Sequence, residues 1–128
     1  MIAKGEFEIA MEPAECSISS SENTFARLLL KKTFRGDLVG KSSGEMLSCR
    51  TNTEGSAGYI AIEEFVGELS GKSGGFSLQH FGTMQGGNFR LEVEVIPDSG
   101  FAGLKTISGK MQIIIEGGKH FYEFDYTL

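Results

Sequence analysis

Apolar and polar residues alternate with a period of two along most of this chain. Phe7, Ile9 and Met11 face one way while Glu6, Glu8 and Ala10 face the other, the signature of a half-buried strand. The same pattern predicts eight strands, over residues 3–11, 25–35, 38–51, 59–69, 75–85, 88–97, 104–116 and 119–128. Leu28, Leu29 and Leu30 carry no clean period, so a helix competes with a strand there. Residues 13–24 form a polar connection, the best candidate for a mobile segment or lid, and residues 52–58 a Gly/Ser loop. A meander of strands on short connections is best stabilised by closing on itself, which removes exposed edges. The expected fold is an all-β, antiparallel up-and-down barrel of about eight strands, with little or no helix, over a single domain 1–128.

Three tight-turn signals, Gly71-Lys72, Gly86-Gly87 and Gly117-Gly118, set the register between neighbouring strands. Register decides which residues share a face. With Gly71-Lys72 at the centre of its turn, Glu63 stands opposite His80. Gly86-Gly87 puts Met84 opposite Phe89 and His80 opposite Val93, on a face shared with Phe76, Leu78, Leu91 and Val95. Gly117-Gly118 puts Ile115 opposite His120 and Ile113 opposite Tyr122, on a face shared with Met111, Phe124 and Tyr126. Glu63, His80, His120, Tyr59, Tyr122 and Tyr126 are therefore all expected to point inward.

A carboxylate inside a small barrel costs several kcal/mol unless it is paired. Glu63 beside His80 meets that demand, and two readings follow. In one the pair is an acid/base couple, tuned by burial and mutual charge; in the other it fixes register and does no chemistry. Tyr59, His120, Tyr122 and Tyr126 are candidates for orienting a bound molecule through hydrogen bonds, against the alternative that tyrosines at a barrel end present their hydroxyls to water. An eight-stranded barrel is wide enough for packed side chains or for one small ligand. Small residues at Gly40, Ser42 and Gly44 would let a strand curve or a ligand come close.

Glycine, at 18 of 128 residues, is about twice its usual share and suits a bent, closed sheet. The net charge of −5 argues against a nucleic-acid partner. The one dense basic run, Lys31-Lys32 with Arg27 and Arg35 nearby, reads as a solvated strand edge. No apolar run suggests a membrane span or a secretion signal, and Cys16 and Cys49 make no disulfide framework, so a cytoplasmic protein with reduced thiols is expected. Gly-Lys-Ser occurs at Gly40-Lys41-Ser42 and Gly71-Lys72-Ser73, but Arg35 and Val66 stand where a phosphate loop needs glycine. The two histidines have no metal-ligand spacing, so no metal or cofactor is expected. Ile60, Ile62 and Val66 make the second face of their strand apolar too, which predicts a homo-oligomer covering it.

The chain also resembles DUF3224, a bacterial family of unknown function whose fold is similar to the allene oxide cyclase barrel. The resemblance is carried by Phe34-Arg35-Gly36-Asp37-Leu38, by Gly55 to Glu63, and by Gly71-Lys72-Ser73-Gly74 with Phe76-Ser77-Leu78-Gln79-His80. Pro97-Asp98-Ser99-Gly100 and His120 to Tyr126 extend it over nearly the whole chain. Phe101-Ala102 depart from the small residues expected after Ser99-Gly100. The resemblance implies a fold and an oligomer, and no reaction. The functional expectation is a barrel holding a small apolar or amphiphilic molecule. An isomerase or cyclase using Glu63 and His80 is the alternative, and a filled structural barrel the third reading.

Overall fold

In the computed structural model, which describes residues 1–128, each of the eight alternating stretches forms a strand, the seventh only from Ser108 onward, and no helix forms. The strands are β1 (Ile2–Ala14), β2 (Thr24–Gly36), β3 (Leu38–Arg50), β4 (Ala57–Leu69) and β5 (Lys72–Gln85). They are followed by β6 (Asn88–Val95), a two-residue β7 (Phe101–Ala102), β8 (Ser108–Glu116) and β9 (Lys119–Thr127). The ambiguous Leu28–Leu30 stretch lies inside β2. Sequential neighbours pair antiparallel, β6 pairs with β8, and β9 returns to β1. Eight strands thus close into a barrel, and β7 is an extra piece attached to β5 through Gly74 and Gly75.

The Gly86-Gly87 and Gly117-Gly118 turns take positive φ at both central positions and give the expected registers, with His80 opposite Val93 and Ile115 opposite His120. The third turn is one residue earlier than its glycine suggested. Ser70 and Gly71 are its central residues, with Ser70 at φ 48° and Leu69 paired to Lys72. Glu63 therefore faces Leu78, and His80 faces Ala61. The shift preserves the parity of the strand, so both side chains remain inward.

One half of the barrel is filled. Phe34, Phe65, Phe76, Phe124 and Tyr126 form a run of contacting rings with centroids 5.3–5.5 Å apart, each contact worth about 0.5–1.5 kcal/mol beyond its burial. Leu38, Leu69 and Leu104 seal that end at 0% exposure. Leu104 and Ile107 do not extend β8, as the alternation had suggested. They sit in successive turns closed by Leu104 N–H to Phe101 C=O and Ile107 N–H to Leu104 C=O, and plug the barrel from below. The segment containing Phe101-Ala102 thus belongs to the sealed end and not to a mouth.

The wall is uneven. Thirteen residue pairs join β3 to β4, whereas only Val93–Met111 and Glu94–Lys110 join β6 to β8. The outer face of β4 leaves Ile60, Ile62 and Val66 about half exposed, and Phe81 stands directly opposite Ile60. Cys16 and Cys49 are half-buried and unpaired.

Candidate functional site

Above the filled half the inward residues enclose a cavity of about 340 Å³, within the range of small-molecule sites. Its walls are mostly apolar, among them Ile9, Leu30, Met46, Ala61, Leu91 and Ile113. Met11, Phe89 and Ile115 stand at its rim, 57–69% exposed. This is the end at which the Gly86-Gly87 and Gly117-Gly118 turns lie. The connection 15–23 leaves β1 at the same end, held to β2 by a hydrogen bond from Arg27 Nη1 to the Glu15 carbonyl.

A buried polar cluster forms where the cavity meets the packed rings. Glu63 is 1% exposed, and both of its oxygens are occupied. Oε2 accepts from Lys32 Nζ and from His80 Nε2, each at 2.7 Å, and Oε1 accepts from Ser42 Oγ at 2.9 Å. Burial pushes the Glu63 pKa up. The His80 hydrogen bond, the Lys32 charge, the His80 charge and the Lys32 hydrogen bond together outweigh it and hold the carboxyl at about 2. Glu63 is therefore ionised and acts only as an acceptor, so the His80 proton that faces it is on Nε2. The ammonium of Lys32 also lies 4.7 Å from the centre of the Phe7 ring, a favourable cation–π placement.

Strand periodicity explains how these groups meet. Lys32 shares the inner face of β2 with Leu30 and Phe34, and Ser42 shares that of β3 with Leu38 and Gly44. Gly44 lies opposite Glu63, where a Cβ would come within 2.7 Å of the Glu63 Cα. Glycine there lets β3 and β4 curve tightly around the carboxylate. Lys32 is thus not part of a solvated edge, as the basic run had suggested. At 5% exposure it is the buried counter-ion of Glu63. Its parity with Phe34 was the available signal, masked by its neighbour Lys31.

The expected site residues divide between the two halves. Glu63 and His80 meet as expected, and Tyr59 and His120 line the cavity. Burial, then the charge of Glu63, raise the Tyr59 pKa. Tyr122 and Tyr126 lie in the packed half and do not border the cavity. The Tyr122 hydroxyl accepts from Leu38 N–H at 2.8 Å and donates to the Arg35 carbonyl at 2.9 Å, clamping the β2–β3 turn. Tyr126 stacks on Phe124. Among the cavity's polar groups, His80 Nδ1, the Tyr59 hydroxyl and the His120 ring have no hydrogen-bond partner within the protein, and no buried polar side-chain atom is left unsatisfied. Those three groups are therefore open to the cavity or to solvent.

None of the curated proteins compared with the chain matches it. Among solved structures, a DUF3224-family protein of unknown function from Shewanella oneidensis MR-1 is similar at 44% identity and a TM-score of 0.96. That match covers 100% of this chain and 96% of the other. The family model described as "Protein of unknown function (DUF3224)" matches residues 3–126. Spanning nearly every strand of the barrel and all of the Lys32, Ser42, Glu63 and His80 cluster, that match shows that the chain belongs to the DUF3224 family.

Proposed function

We propose that this barrel binds a small amphiphilic molecule, with its apolar part against Ile9, Leu30, Met46, Leu91 and Ile113 and its polar part toward Lys32 and His80. The observation that carries this reading is the asymmetry of the interior. One half is packed with rings, and the other leaves about 340 Å³ with polar groups gathered at its floor. A barrel serving only as a structural block would gain by filling that space, since unfilled apolar volume forfeits packing energy. Native mass spectrometry of freshly purified protein tests the reading. The expected result is a non-covalent adduct that disappears on denaturation and is lost in Ile113→Trp, which fills the cavity. A clean mass together with failure to take up any added amphiphile would overturn it.

A second reading is favoured by the way His80 is held. A carboxylate fixes Nε2–H while Nδ1 has no partner in the protein, the arrangement of a general base oriented by an acid. An isomerase or cyclase would then use His80 to move the proton. Glu63 would orient the ring and Lys32 would face developing negative charge. Solvent deuterium appearing in a bound carbonyl compound, and absent with His80→Phe, is the expected signature.

The closed eight-stranded meander also fits an allene oxide cyclase-like barrel, a likeness of fold that assigns no reaction. We further propose that the protein is cytoplasmic and self-associates through the outer face of β4, a reading supported by the exposure of Ile60, Ile62 and Val66.

A further inference from the structure

The inner surface of the cavity is chemically one-sided. Its polar lining consists of Lys32, Tyr59, His80 and His120: one ammonium, one phenol and two imidazoles. No carboxylate lines it. The single interior carboxylate, Glu63, is sealed beneath, with its side chain at 0% exposure and both oxygens already accepting. Lys32 has three N–H donors, and only one has a protein acceptor. A molecule entering the cavity thus meets unused donors and an ammonium whose counter-ion it cannot reach.

Resting on the binding function above, we infer that the ligand is an anionic amphiphile, a carboxylate on an apolar tail, whose head group lies against Lys32 and His80. A carboxylate supplies the acceptors that the lining lacks. Its charge-assisted hydrogen bond to Lys32 forms away from water, where such bonds are strongest. His80 Nδ1 completes the recognition by donating to the carboxylate when the ring is protonated, or by accepting from the acid when the ligand carries the proton. A cationic head would face the ammonium with no acceptor available. An alcohol can accept one hydrogen bond from Lys32 but brings no charge to strengthen it. The tail then lies along Leu30, Met46 and Leu91 toward Met11, Phe89 and Ile115.

Three probes with the same tail and different heads test this by calorimetric titration of the intact protein at neutral pH: decanoate, decanol and decyltrimethylammonium. Decanoate is expected to bind at least about tenfold more tightly than decanol, the margin of one charge-assisted hydrogen bond, and decyltrimethylammonium weakest. In the doubly neutral Lys32→Met/Glu63→Gln protein the preference for decanoate should vanish while decanol still binds. Decanol binding as tightly as decanoate, or the cation binding best, would overturn the head-group assignment and leave the binding function standing. A preference for decanoate that survives in the double variant would overturn the role of Lys32. Failure of all three probes to bind would overturn both the assignment and the function it rests on.

Discussion

Lys32 and His80 donate to the same oxygen of Glu63, each at 2.7 Å, from strands on different sides of the carboxylate. Two donors converging on one atom tie β4 to its ladder neighbour β5 and, beyond β3, to β2. Because the lysine and the glutamate are almost wholly buried, neither charge survives well without the other.

Glu63→Leu is expected to strand Lys32 as a lone buried cation and to lower the unfolding free energy by about 3–5 kcal/mol. Adding Lys32→Met should restore most of that loss, since an apolar pair of similar volume is often as stable as the ion pair it replaces. Urea titrations of the single and double variants measure the difference. A double variant no more stable than the single one would show that the loss comes from packing and not from charge.

Acid should unfold the protein partly through Glu63. Its folded pKa of about 2 lies below the ordinary value of 4.5. A depressed carboxyl contributes stability that is complete above its unfolded pKa and is lost as pH falls through the folded one. Between pH 4.5 and 2 this group is expected to withdraw on the order of 3 kcal/mol. Glu63→Gln should flatten that part of the stability–pH curve, and an equally steep curve in the variant would place the acid sensitivity elsewhere.

Tyr122→Phe removes one hydroxyl and two backbone partners. The Leu38 N–H loses its acceptor and the Arg35 carbonyl its donor. With Leu38 at 0% exposure, a loss of about 1–3 kcal/mol is expected. Faster hydrogen exchange at the Leu38 amide would locate the damage in the β2–β3 turn, and an unchanged rate would remove the phenol from that role.

Gly44→Ala drives a methyl group toward the Cα and Cβ of Glu63, each 2.7 Å from the new atom. Backbone must move there, and a loss of about 1–3 kcal/mol is expected. Gly58→Ala is the control on the neighbouring strand, where the nearest atom lies 3.7 Å away and the melting temperature should barely change. Equal losses at both positions would deny that the approach of β3 to β4 is the tight one.

Much of the fold was legible because glycine pairs at positive φ and strict alternation carry register directly. Two hairpins have the expected pairing, down to Met84 with Phe89 and Ile113 with Tyr122. The third turn moved because Ser70 accepts a left-handed backbone that sequence preference assigns to glycine. Glu63 and His80 were nonetheless legible as a pair, since parity survives such a slip. Lys32 was not, because charge density in Lys31-Lys32 drew attention away from phase. Ser42 was legible as a small residue but not as the donor to Glu63 Oε1, because a hydroxyl's partner depends on what the next strand brings opposite. The division of tyrosines between packed and hollow halves depended on height along the barrel axis, which alternation does not encode.

The joint between β6 and β8 sets where this barrel can yield. Only two residue pairs close it, against thirteen between β3 and β4. Toward the rim, Phe89 and Leu91 stand on one side of the gap and Ile113 and Ile115 on the other, all four lining the cavity. A swing of the β8–β9 hairpin about its six-pair ladder with β1 would widen the chamber like a gate, parting only the two β6–β8 pairs and leaving the Lys32–Glu63–His80 floor in place. Capacity and rigidity are thus assigned to opposite poles of one small sheet.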